Sequence, residues 1–562
     1  MSLYLPFIFP LTPLYLPLIF TLSPLKEMKK LFIFTLFIYI VTQNAMAQAV
    51  ACYDVVPLPN KIELGSGKSF ALTPQTQIVC ESDDELMQQN AKFLSQYIEE
   101  ISGMQLKCMG KVKLKKNQSA IILKTSDKIG GTEAYEMKVD GHRVVISGGS
   151  SAGVFYGIQT LRKSLPTENA DEITLPNVVI TDAPRFAYRG MHLDCSRHFF
   201  PISFVKRYID LIAMHNMNVF HWHLSDDQGW RIEIKQLPGL TEKGSVRPYT
   251  VLGHNSPVND GTEYGGFYTQ EEARDIVEYA RQRHITVIPE IDMPGHMLGC
   301  LKAYPELGCT GGPYEVAGTW GVFDDVLCLG NEKTYTVMQI IIDELCDIFS
   351  AKYFHIGGDE SPNVRWQQCA KCKALANRLG IDAKKLQGYF TNRIEKYINS
   401  KGRSIIGWDE IAEGDIQQSA TIMSWRGVEP GAKAAQKGHD VIMAPTSHCY
   451  FDYYQTEKTF SEPRSFSATI TIEKTYSLDP APASMPEEAR KHILGAQANL
   501  WSEYVTCTNK AEYQVLPRMG ALAEVQWTQP ERKNYEKFVK RAERLAKLYD
   551  CYGYVYAHHI WK

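Results

Sequence analysis

Two acidic residues, Asp359 and Glu360, stand side by side at the end of the segment FHIGGDE. They follow an apolar run and two glycines, a pattern typical of a buried strand that ends in a turn. Carboxyl pairs cleave glycosidic bonds, but the two groups normally lie about 5 Å or more apart across the bond. Because successive side chains on a strand point to opposite faces, we expect the pair not to act as acid and nucleophile on one bond.

Adjacent carboxylates can still share one reaction if the substrate supplies its own nucleophile. The carbonyl oxygen of a 2-acetamido sugar can attack C1 and form an oxazolinium ion, an established exception to the two-carboxylate arrangement. One enzyme carboxylate then protonates the leaving oxygen, and the other holds the acetamide N–H and stabilises the positive charge. The pair Asp359 and Glu360 fits these two roles, provided that the surrounding elements build a sugar pocket.

The elements that must position this pair follow a regular pattern from Phe186 onwards. Eight short apolar runs alternate with segments of helical periodicity, which predicts a (β/α)8 barrel, a TIM barrel of the α/β class. The predicted strands are Tyr188–Leu193, Asn218–Leu224, Ile285–Ile291, Tyr353–Ile356, Ser404–Trp408, Thr421–Trp425, Val441–Ala444 and Ile493–Trp501. The predicted helices are Phe204–His215, Glu271–Arg283, Thr334–Phe349, Leu386–Ile398 and Gly431–Lys437. A doubly wound sheet is the alternative, but this segment lacks a nucleotide-binding fingerprint.

Every predicted strand ends in acids, arginine, tryptophan or tyrosine. The active site of a TIM barrel lies at the C-terminal ends of its strands, so these side chains should converge. Carboxylates and arginine suit sugar hydroxyls, and the indoles of Trp408, Trp425 and Trp501 suit the apolar face of a pyranose ring. Polar residues at the end of one strand are expected wherever a loop begins. Eight strands that all end in acids, arginine, tryptophan or tyrosine predict a sugar-binding pocket.

The segment FHIGGDE, with Trp366 after it, resembles the HxGGDE motif of family 20 glycoside hydrolases, the β-N-acetylhexosaminidases. Further segments that resemble motifs of this family are LDCSRHF at 193–199, HWHLSDDQGWR at 221–231, PGH at 294–296, GWDE at 407–410 and LWSE at 500–503. The resemblance covers most of the chain, including a small α+β domain before the barrel. It implies an exo-acting, retaining hydrolase without cofactor or metal, acting on glycans with terminal β-GlcNAc or β-GalNAc.

The resemblance also implies the role of each site residue. Glu360 would be the general acid and then the base for water, Asp359 would orient the acetamide, and Tyr450 would hydrogen-bond its carbonyl oxygen. Asp226 and His296 would form a supporting network beside Glu360. The residues implied to hold sugar hydroxyls or line the pocket are Arg197, Asp452, Glu503, Trp408, Trp425 and Trp501.

Three other functions stay open at this point. The same fold can release a disaccharide, as a lacto-N-biosidase does, or prefer chitobiose. A non-catalytic sugar-binding protein is a second alternative, although a pure binder does not need a general acid. A metal-dependent hydrolase is the third, because His221, His223 and His296 are possible ligands. His221 and His223 alternate along a strand and would share one face, and we favour a hydrogen-bonded set without metal.

The chain has 13 cysteines. Cys309 and Cys328 flank a glycine-rich loop and can pair, whereas Cys369 and Cys372 form a single CxxC. A structural zinc site needs four ligands, and the sequence offers no second CxxC or HxxxH partner. We therefore expect a local disulfide or free thiols rather than zinc.

Residues 1–47 are predicted to be a signal peptide with an upstream extension, because an apolar run follows Met28-Lys29-Lys30 and precedes the cleavage-site pattern Ala45-Met46-Ala47. Prolines in the upstream segment argue against a membrane span. The protein is thus expected to be exported, to the periplasm or the medium, with lipidation at Cys52 as a weaker alternative. A net charge of −3 gives no indication of a nucleic-acid partner.

Residues 48–183 are predicted to form the small α+β domain, and residues 184–562 the barrel with a short C-terminal extension. In the small domain, helical periodicity predicts helices over Glu85–Ile101 and Gly153–Leu165. The dipeptide Asp140-Gly141 predicts a hairpin turn between two strands.

Overall fold

The computed structural model describes residues 49–115 and 117–561. The predicted signal peptide and its upstream extension, residues 1–47, lie outside the described residues, and the expected export is not addressed by them. Within the described residues, every helix is too short or too polar to span a bilayer.

The N-terminal part is an α+β domain with two sheets. In spatial order, the strands of the larger sheet are Lys61–Leu64, Val178–Asp182, Tyr135–Val139, Arg143–Gly148, Ala120–Thr125, Gln77–Cys80 and Lys107–Met109. The strands of the smaller sheet are Ala49–Val50, Ile173–Leu175 and Phe70–Leu72. Helices Glu85–Ser102 and Ser151–Ser164 pack on each other and on the larger sheet, close to their predicted positions.

The predicted hairpin of this domain is confirmed. Val139 lies opposite Val144 in an antiparallel pair. The Asp140 carboxylate accepts hydrogen bonds from the backbone N–H groups of His142 and Arg143 at 2.8 and 2.9 Å. An aspartate that bonds the backbone just after itself fixes a tight turn.

The C-terminal part is a closed barrel of eight parallel strands, as predicted. The strands are Tyr188–Asp194, Val219–His223, Thr286–Glu290, Tyr353–His355, Ser404–Trp408, Thr421–Ser424, Val441–Met443 and Ile493–Ala498. The barrel closes where Tyr188–Asp194 pairs with both Val219–His223 and Ile493–Ala498. Burial on both faces explains why most of these strands appear in the sequence as mainly apolar runs.

Helices cover the outside of the barrel. Those that follow strands one to four and strand six are Ile202–Met214, Gln270–Arg281, Glu332–Ile348, Leu386–Ser400 and Val428–Gln436, and Arg518–Trp527 packs on strands one and eight. Further helices of eight or more residues are Ala370–Leu379, Thr508–Val515 and Tyr535–Cys551. The start of Gln270–Arg281 shows why these segments are helical. Thr269 and Glu272 form a reciprocal capping box, and the helix then buries Ala273 and Ile276.

The small domain and the barrel are joined by a buried ion pair. Arg189, in the first barrel strand, makes two hydrogen bonds of 2.8 and 2.7 Å to the carboxylate of Glu133. Arg189 also donates to the hydroxyl of Tyr156 at 2.9 Å. Asn218, just before the second strand, donates to the same glutamate at 3.1 Å. These contacts lie at the N-terminal ends of the strands and leave the opposite face of the barrel for a site.

Of the two expectations for Cys309, Cys328, Cys369 and Cys372, the local disulfide is wrong and the free thiols agree with the structure, but the sequence did not predict that the four cysteines cluster. All four sulfur atoms lie within 4.8 Å of one another, and none of the four is disulfide-bonded. The sequence argument failed because two of the four cysteines come from a different loop and share no motif spacing with the CxxC pair.

Candidate active site

Asp359 and Glu360 lie in a turn beyond the fourth strand, which ends at His355. Gly357 and Gly358 have φ values of 64° and 96°, and Glu360 itself is left-handed at 43°. A Cβ at residue 357 would lie 1.8 Å from the Asp292 carboxylate, so only glycine fits there. The strained turn redirects the chain out of the strand before it reaches the two acids.

Both carboxylates face one imidazole. His296 Nε2 lies 3.9 Å from Asp359 Oδ2 and 3.8 Å from Glu360 Oε2. The expectation that the two side chains point to opposite faces is wrong, because the pair is not part of a strand. The two acids still differ in accessibility: the side chain of Glu360 is 43% exposed and that of Asp359 is 14% exposed. Glu360 is therefore the acid that a leaving group can reach, and the two residues are expected to have separate roles.

The protonation of Glu360 suits a general acid. Partial burial raises the pKa of Glu360, and the neighbouring Asp359 carboxylate raises it further. His296 and Arg197 oppose this shift. An acid with a raised pKa keeps its proton closer to neutral pH, as proton donation to a leaving oxygen requires.

His296 is held as a cation by two adjacent acids. Its Nδ1 lies 2.9 Å from Asp227 Oδ2 and 3.2 Å from Asp226 Oδ1. Burial disfavours the charged imidazole, but the two carboxylates raise its pKa well above the usual range. The cation therefore presents its Nε2–H towards Asp359 and Glu360. Sequence reasoning assigned Asp226 to this network and missed Asp227.

Asp226 connects this network to His223 and Glu290, the buried residues that end the second and third barrel strands. Its Oδ2 accepts hydrogen bonds from Arg197 at 2.8 Å and from His223 Nε2 at 2.9 Å. His223 Nδ1 in turn lies 2.5 Å from Glu290 Oε2. An imidazole between two carboxylates is stabilised as imidazolium, and the pKa of His223 is raised well above its usual range despite complete burial.

The histidines do not form the single ligand set considered from the sequence. His221 and His223 do share one face, as predicted, and both contact Glu290. His296 belongs instead to the separate group with Asp226 and Asp227. The predicted pocket residue Trp408 also contacts Glu290: it donates its indole N–H to Oε1 at 3.0 Å. Glu290 is thus the buried centre of a hydrogen-bonded network that forms the floor of the pocket.

Two buried acids at the other side of the pocket have oxygen atoms without partners. Both carboxylate oxygens of Asp452 and Oε2 of Glu503 have no hydrogen-bond partner within the described part of the chain. Burial and the neighbouring Glu503 raise the pKa of Asp452 well above its usual range, and burial raises that of Glu503 to about 7. Buried polar atoms normally have partners, so these oxygens indicate a ligand that donates hydrogen bonds.

Arg197 lies beside these acids and is fixed by Asp194. Asp194 Oδ2 accepts from Arg197 Nη1 at 3.3 Å and from the backbone N–H of Ser502 at 3.0 Å. The contact joins the loops that follow the first and eighth strands. It holds Arg197 with its guanidinium 5.0 Å from the ring centre of Trp501.

Aromatic rings form one continuous surface in the pocket. The ring centres of Trp408 and Trp501 are 5.8 Å apart, those of Trp501 and Tyr450 6.5 Å, and those of Tyr450 and Trp425 6.2 Å. Trp408 is only 1% exposed and lies at the bottom, whereas Trp425 is half-buried. Burial raises the pKa of Tyr450, with Asp452 and Asp359 adding to the effect, so its hydroxyl stays a donor.

Two further acids at Asp359 were missed as site residues. Asp292 accepts a hydrogen bond from the backbone N–H of Gly358 at 3.0 Å, and burial and Asp359 raise its pKa well above the usual range. Glu410 accepts from the indole of Trp425 at 2.9 Å, and burial and Asp359 raise its pKa to about 8. Both residues follow the ends of predicted strands, and this position in the sequence could have identified them as residues of the site. The raised pKa values favour the protonated forms of Asp292 and Glu410 beside Asp359.

A cavity of about 980 Å³ opens beside Glu360. It extends over the loop and helix that follow the fourth strand, with Asn363, Lys384, Gln387 and Glu410 among its lining residues. Arg197, Asp452 and Glu503 do not line it. The general acid candidate therefore lies between an enclosed acid-rich pocket and an open cavity.

Comparisons with known proteins agree with this arrangement. The profile "Glycosyl hydrolase family 20, catalytic domain" matches residues 186–530, and "Glycosyl hydrolase family 20, domain 2" matches residues 52–183. A β-hexosaminidase of Porphyromonas gingivalis is 40% identical over 528 residues, covering 92% of this chain and 66% of the relative. The chain thus spans about two thirds of that relative's length. A β-hexosaminidase of Vibrio furnissii is 36% identical over 482 residues, covering 85% of this chain and 77% of the relative.

Among solved structures, the crystal structure of a GH20 exo-β-N-acetylglucosaminidase from Vibrio harveyi in complex with N-acetylglucosamine is similar. It aligns with a TM-score of 0.80 and 33% identity, covering 92% of this chain and 80% of that one. The family profile covers more than half of the chain and contains the whole barrel and the residues of the pocket. The chain belongs to glycosyl hydrolase family 20.

Proposed function

We propose that the protein is an exo-acting β-N-acetylhexosaminidase that works by substrate-assisted, retaining catalysis. The observation that carries this proposal is the placement of Asp359 and Glu360 around one imidazole, 3.9 and 3.8 Å from His296 Nε2. The two acids are adjacent in the chain and share this imidazole, and the match of residues 186–530 to family 20 favours one general acid and one acetamide-orienting group over an acid and a nucleophile. The relatives in Porphyromonas gingivalis and Vibrio furnissii are β-hexosaminidases, which supports the same activity here.

The reaction begins with Glu360 donating its proton to the leaving glycosidic oxygen. As the bond from C1 to that oxygen breaks, the acetamide carbonyl oxygen of the same sugar forms a bond to C1. Asp359 accepts a hydrogen bond from the acetamide N–H and stabilises the positive charge of the oxazolinium. Glu360, now a carboxylate, removes a proton from water, which attacks C1 from the original side. Two inversions at C1 give retention.

The pocket supports action on a terminal sugar. The unpartnered oxygens of Asp452 and Glu503 can accept hydrogen bonds from hydroxyl groups, and Arg197 beside them can donate. The indole of Trp501 lies against this group and offers a surface for the sugar ring. The rest of the glycan would extend into the cavity beside Glu360. This division into one enclosed and one open side suits removal of single residues from a chain end.

The test uses nitrophenyl β-GlcNAc and nitrophenyl β-GalNAc, with the β-glucoside as control and a thiazoline mimic of the oxazolinium as inhibitor. Cleavage of the N-acetyl sugars alone, blocked by the thiazoline, is the expected result. Cleavage of the glucoside at a similar rate would contradict substrate assistance. Release of a disaccharide as the first product from a longer glycan would contradict single-residue exo action.

We also propose that the protein is exported. The support is the charged stub at Met28-Lys29-Lys30, the apolar run after it and the small residues at Ala45-Met46-Ala47. Fractionation of the native host, followed by sequencing of the mature N-terminus, tests this proposal. A mature chain that starts shortly after Ala47 is expected, and an unprocessed chain in the cytosol would contradict it.

A further inference from the structure

Four cysteines from two loops meet beside the active site. Cys309 and Cys328 lie in the loop after the third barrel strand, and Cys369 and Cys372 lie after the fourth. Their sulfur atoms all lie within 4.8 Å of one another. Cys328 and Cys372 are buried, at 1% and 0% exposure, and the other two are partly buried.

The sulfur distances match those of a tetrahedral metal site. Sγ of Cys372 lies 3.8 Å from that of Cys309 and 3.7 Å from that of Cys328, and Sγ of Cys328 lies 3.7 Å from that of Cys369. A disulfide requires about 2.05 Å. Four thiolates at about 2.3 Å from a tetrahedral zinc ion would lie about 3.8 Å from one another.

The backbone around the cluster is built for close approach. Gly308 and Leu327 form an antiparallel bridge, and the N–H of Cys328 donates to the carbonyl of Leu307 at 2.7 Å. These bonds bring Cys309 and Cys328 together although 18 residues separate them. Cys369 directly precedes the helix Ala370–Leu379, and Cys372 lies in its first turn.

Gly330 completes the arrangement. A Cβ at this position would lie 2.3 Å from the carbonyl carbon and oxygen of Lys371 and 2.5 Å from the Cys372 nitrogen, so the loop can approach the CxxC only with glycine.

We propose that Cys309, Cys328, Cys369 and Cys372 bind one structural zinc ion. Four sulfur ligands at tetrahedral spacing leave no open position, so the ion would be structural and would not bind substrate. Four soft thiolates favour zinc or iron over magnesium and calcium. The two loops contribute two ligands each, and the ion would fasten one loop to the other.

The fastened loops include the general acid. Glu360 precedes Cys369 by nine residues, and the intervening segment is attached to the same partner loop. The indole of Trp366 donates to the carbonyl of Leu327 at 2.9 Å, and Arg365 pairs with Asp325 at 2.7 Å. The zinc ion would therefore limit the movement of the segment that carries Glu360, as a positioning element and not as a catalyst.

The first experiment is metal analysis of the full chain, purified without chelator or affinity metal, by plasma mass spectrometry. One zinc per chain is expected. Denatured protein, without reductant but with chelator, should then react with a thiol reagent at all 13 cysteines. A metal-free protein with nine reactive thiols would contain two disulfides, and this result would overturn the proposal. A metal-free protein with 13 reactive thiols would also overturn it, and so would a protein that contains iron instead of zinc.

A second experiment localises the ion. Replacement of zinc by cobalt should give thiolate-to-cobalt charge-transfer bands and the intense visible bands of tetrahedral cobalt. Cys372→Ser should lose the ion and these bands, whereas Cys507→Ser, at an exposed cysteine outside the cluster, should keep both. Zinc retained at one per chain in Cys372→Ser would contradict the site.

Removal of zinc from the wild-type chain by a chelator covers the case in which Cys372→Ser does not fold. A lower Tm that recovers when zinc is added back is expected. An unchanged Tm after complete removal would contradict a structural role. All of these measurements report on metal content, spectra and stability, so their outcome is independent of whether the proposed hydrolase activity is found.

Discussion

His296 and Glu360 face each other across 3.8 Å, from imidazole Nε2 to carboxylate Oε2, although 63 residues separate them in the chain. The imidazole is cationic because Asp226 and Asp227 hold its other nitrogen. The pair therefore sets a balance in which burial and Asp359 favour the protonated form of Glu360 and His296 favours the carboxylate.

Replacement of His296 should move the pH profile. In His296→Asn the cation is gone, so the pKa of Glu360 should rise, and the alkaline limb of kcat/KM should shift to higher pH. Asparagine tolerates the left-handed φ of 51° at this position, which limits backbone strain. His284→Asn is the matched control, because His284 is also left-handed, at 58°, and contacts Asn90 of the small domain. An alkaline limb that stays in place or moves to lower pH in His296→Asn would contradict this balance.

Removal of the general acid should depend on the leaving group. Glu360→Gln should lower kcat on an N-acetyl disaccharide by about 10²–10⁴-fold, the usual contribution of general acid catalysis. The loss should be smaller with nitrophenyl substrates, because nitrophenolate leaves without a proton. Glu413→Gln is the control, since Glu413 lies nearby but its side chain is 68% exposed. Equal losses on both substrates would argue against proton donation by Glu360.

Asp359→Asn tests the stabilisation of the oxazolinium. Loss of the negative charge should weaken thiazoline binding by about 10- to 100-fold, the worth of one hydrogen bond to a charged group. Binding of the uncharged product sugar should change much less. Asp415→Asn, an exposed position in the wall of the neighbouring cavity, is the control. Equal weakening of thiazoline and product would indicate a general disturbance of the pocket.

Ionisation of Glu503 should lower the free energy of unfolding of the ligand-free protein as pH rises. Its pKa is raised to about 7 in the folded state, against about 4.3 in an unfolded chain, so the folded state binds the extra proton. Stability is then greatest below about pH 4.3 and falls as pH rises towards 7. The difference in Tm between Glu503→Gln and wild type should therefore grow in favour of the variant over this interval. Glu413→Gln should show no such trend, and a constant difference for Glu503→Gln would contradict the shift.

The same variant should bind substrate less well. Glu503→Gln removes a carboxylate oxygen that has no partner within the described residues, so KM for nitrophenyl β-GlcNAc should rise while the protein becomes more stable above neutral pH. The KM series is measured at constant pH on folded protein. An unchanged KM would mean that this oxygen does not contact the sugar.

The barrel was predictable because its signals are local. Most of its eight strands are mainly apolar runs that end in polar residues; seven of the predicted runs contain the observed strand, and the first, Tyr188–Leu193, ends one residue before it. The same rule brought Arg197, Asp452 and Glu503 to one pocket, and the charge interactions of Glu503 with Arg197 and with Asp452 agree. Short edge strands such as Lys107–Met109, which are exposed on one side, carry no such pattern and were not predicted.

The features that sequence reasoning missed depend on contacts between distant segments. The four-cysteine cluster joins positions 63 and 41 residues apart, so no spacing rule finds it. The orientation of Asp359 and Glu360 depends on left-handed residues beside Asp292, which a strand pattern cannot indicate. Glu410 was assigned no role because its raised pKa, to about 8, arises from burial and from Asp359.

The ion pair between Arg189 and Glu133 determines whether the barrel can be used as a transferable module. Arg189 is fully buried in the whole chain, and a chain shortened to the barrel alone would lose the carboxylate and the Tyr156 hydroxyl that bind its guanidinium. Hydrogen bonds to a charged group contribute about 1.5–3 kcal/mol each, a substantial fraction of the stability of a domain. The small domain, which contributes no residue to the pocket, is therefore inherited together with the barrel, and engineering that exchanges one must redesign position 189.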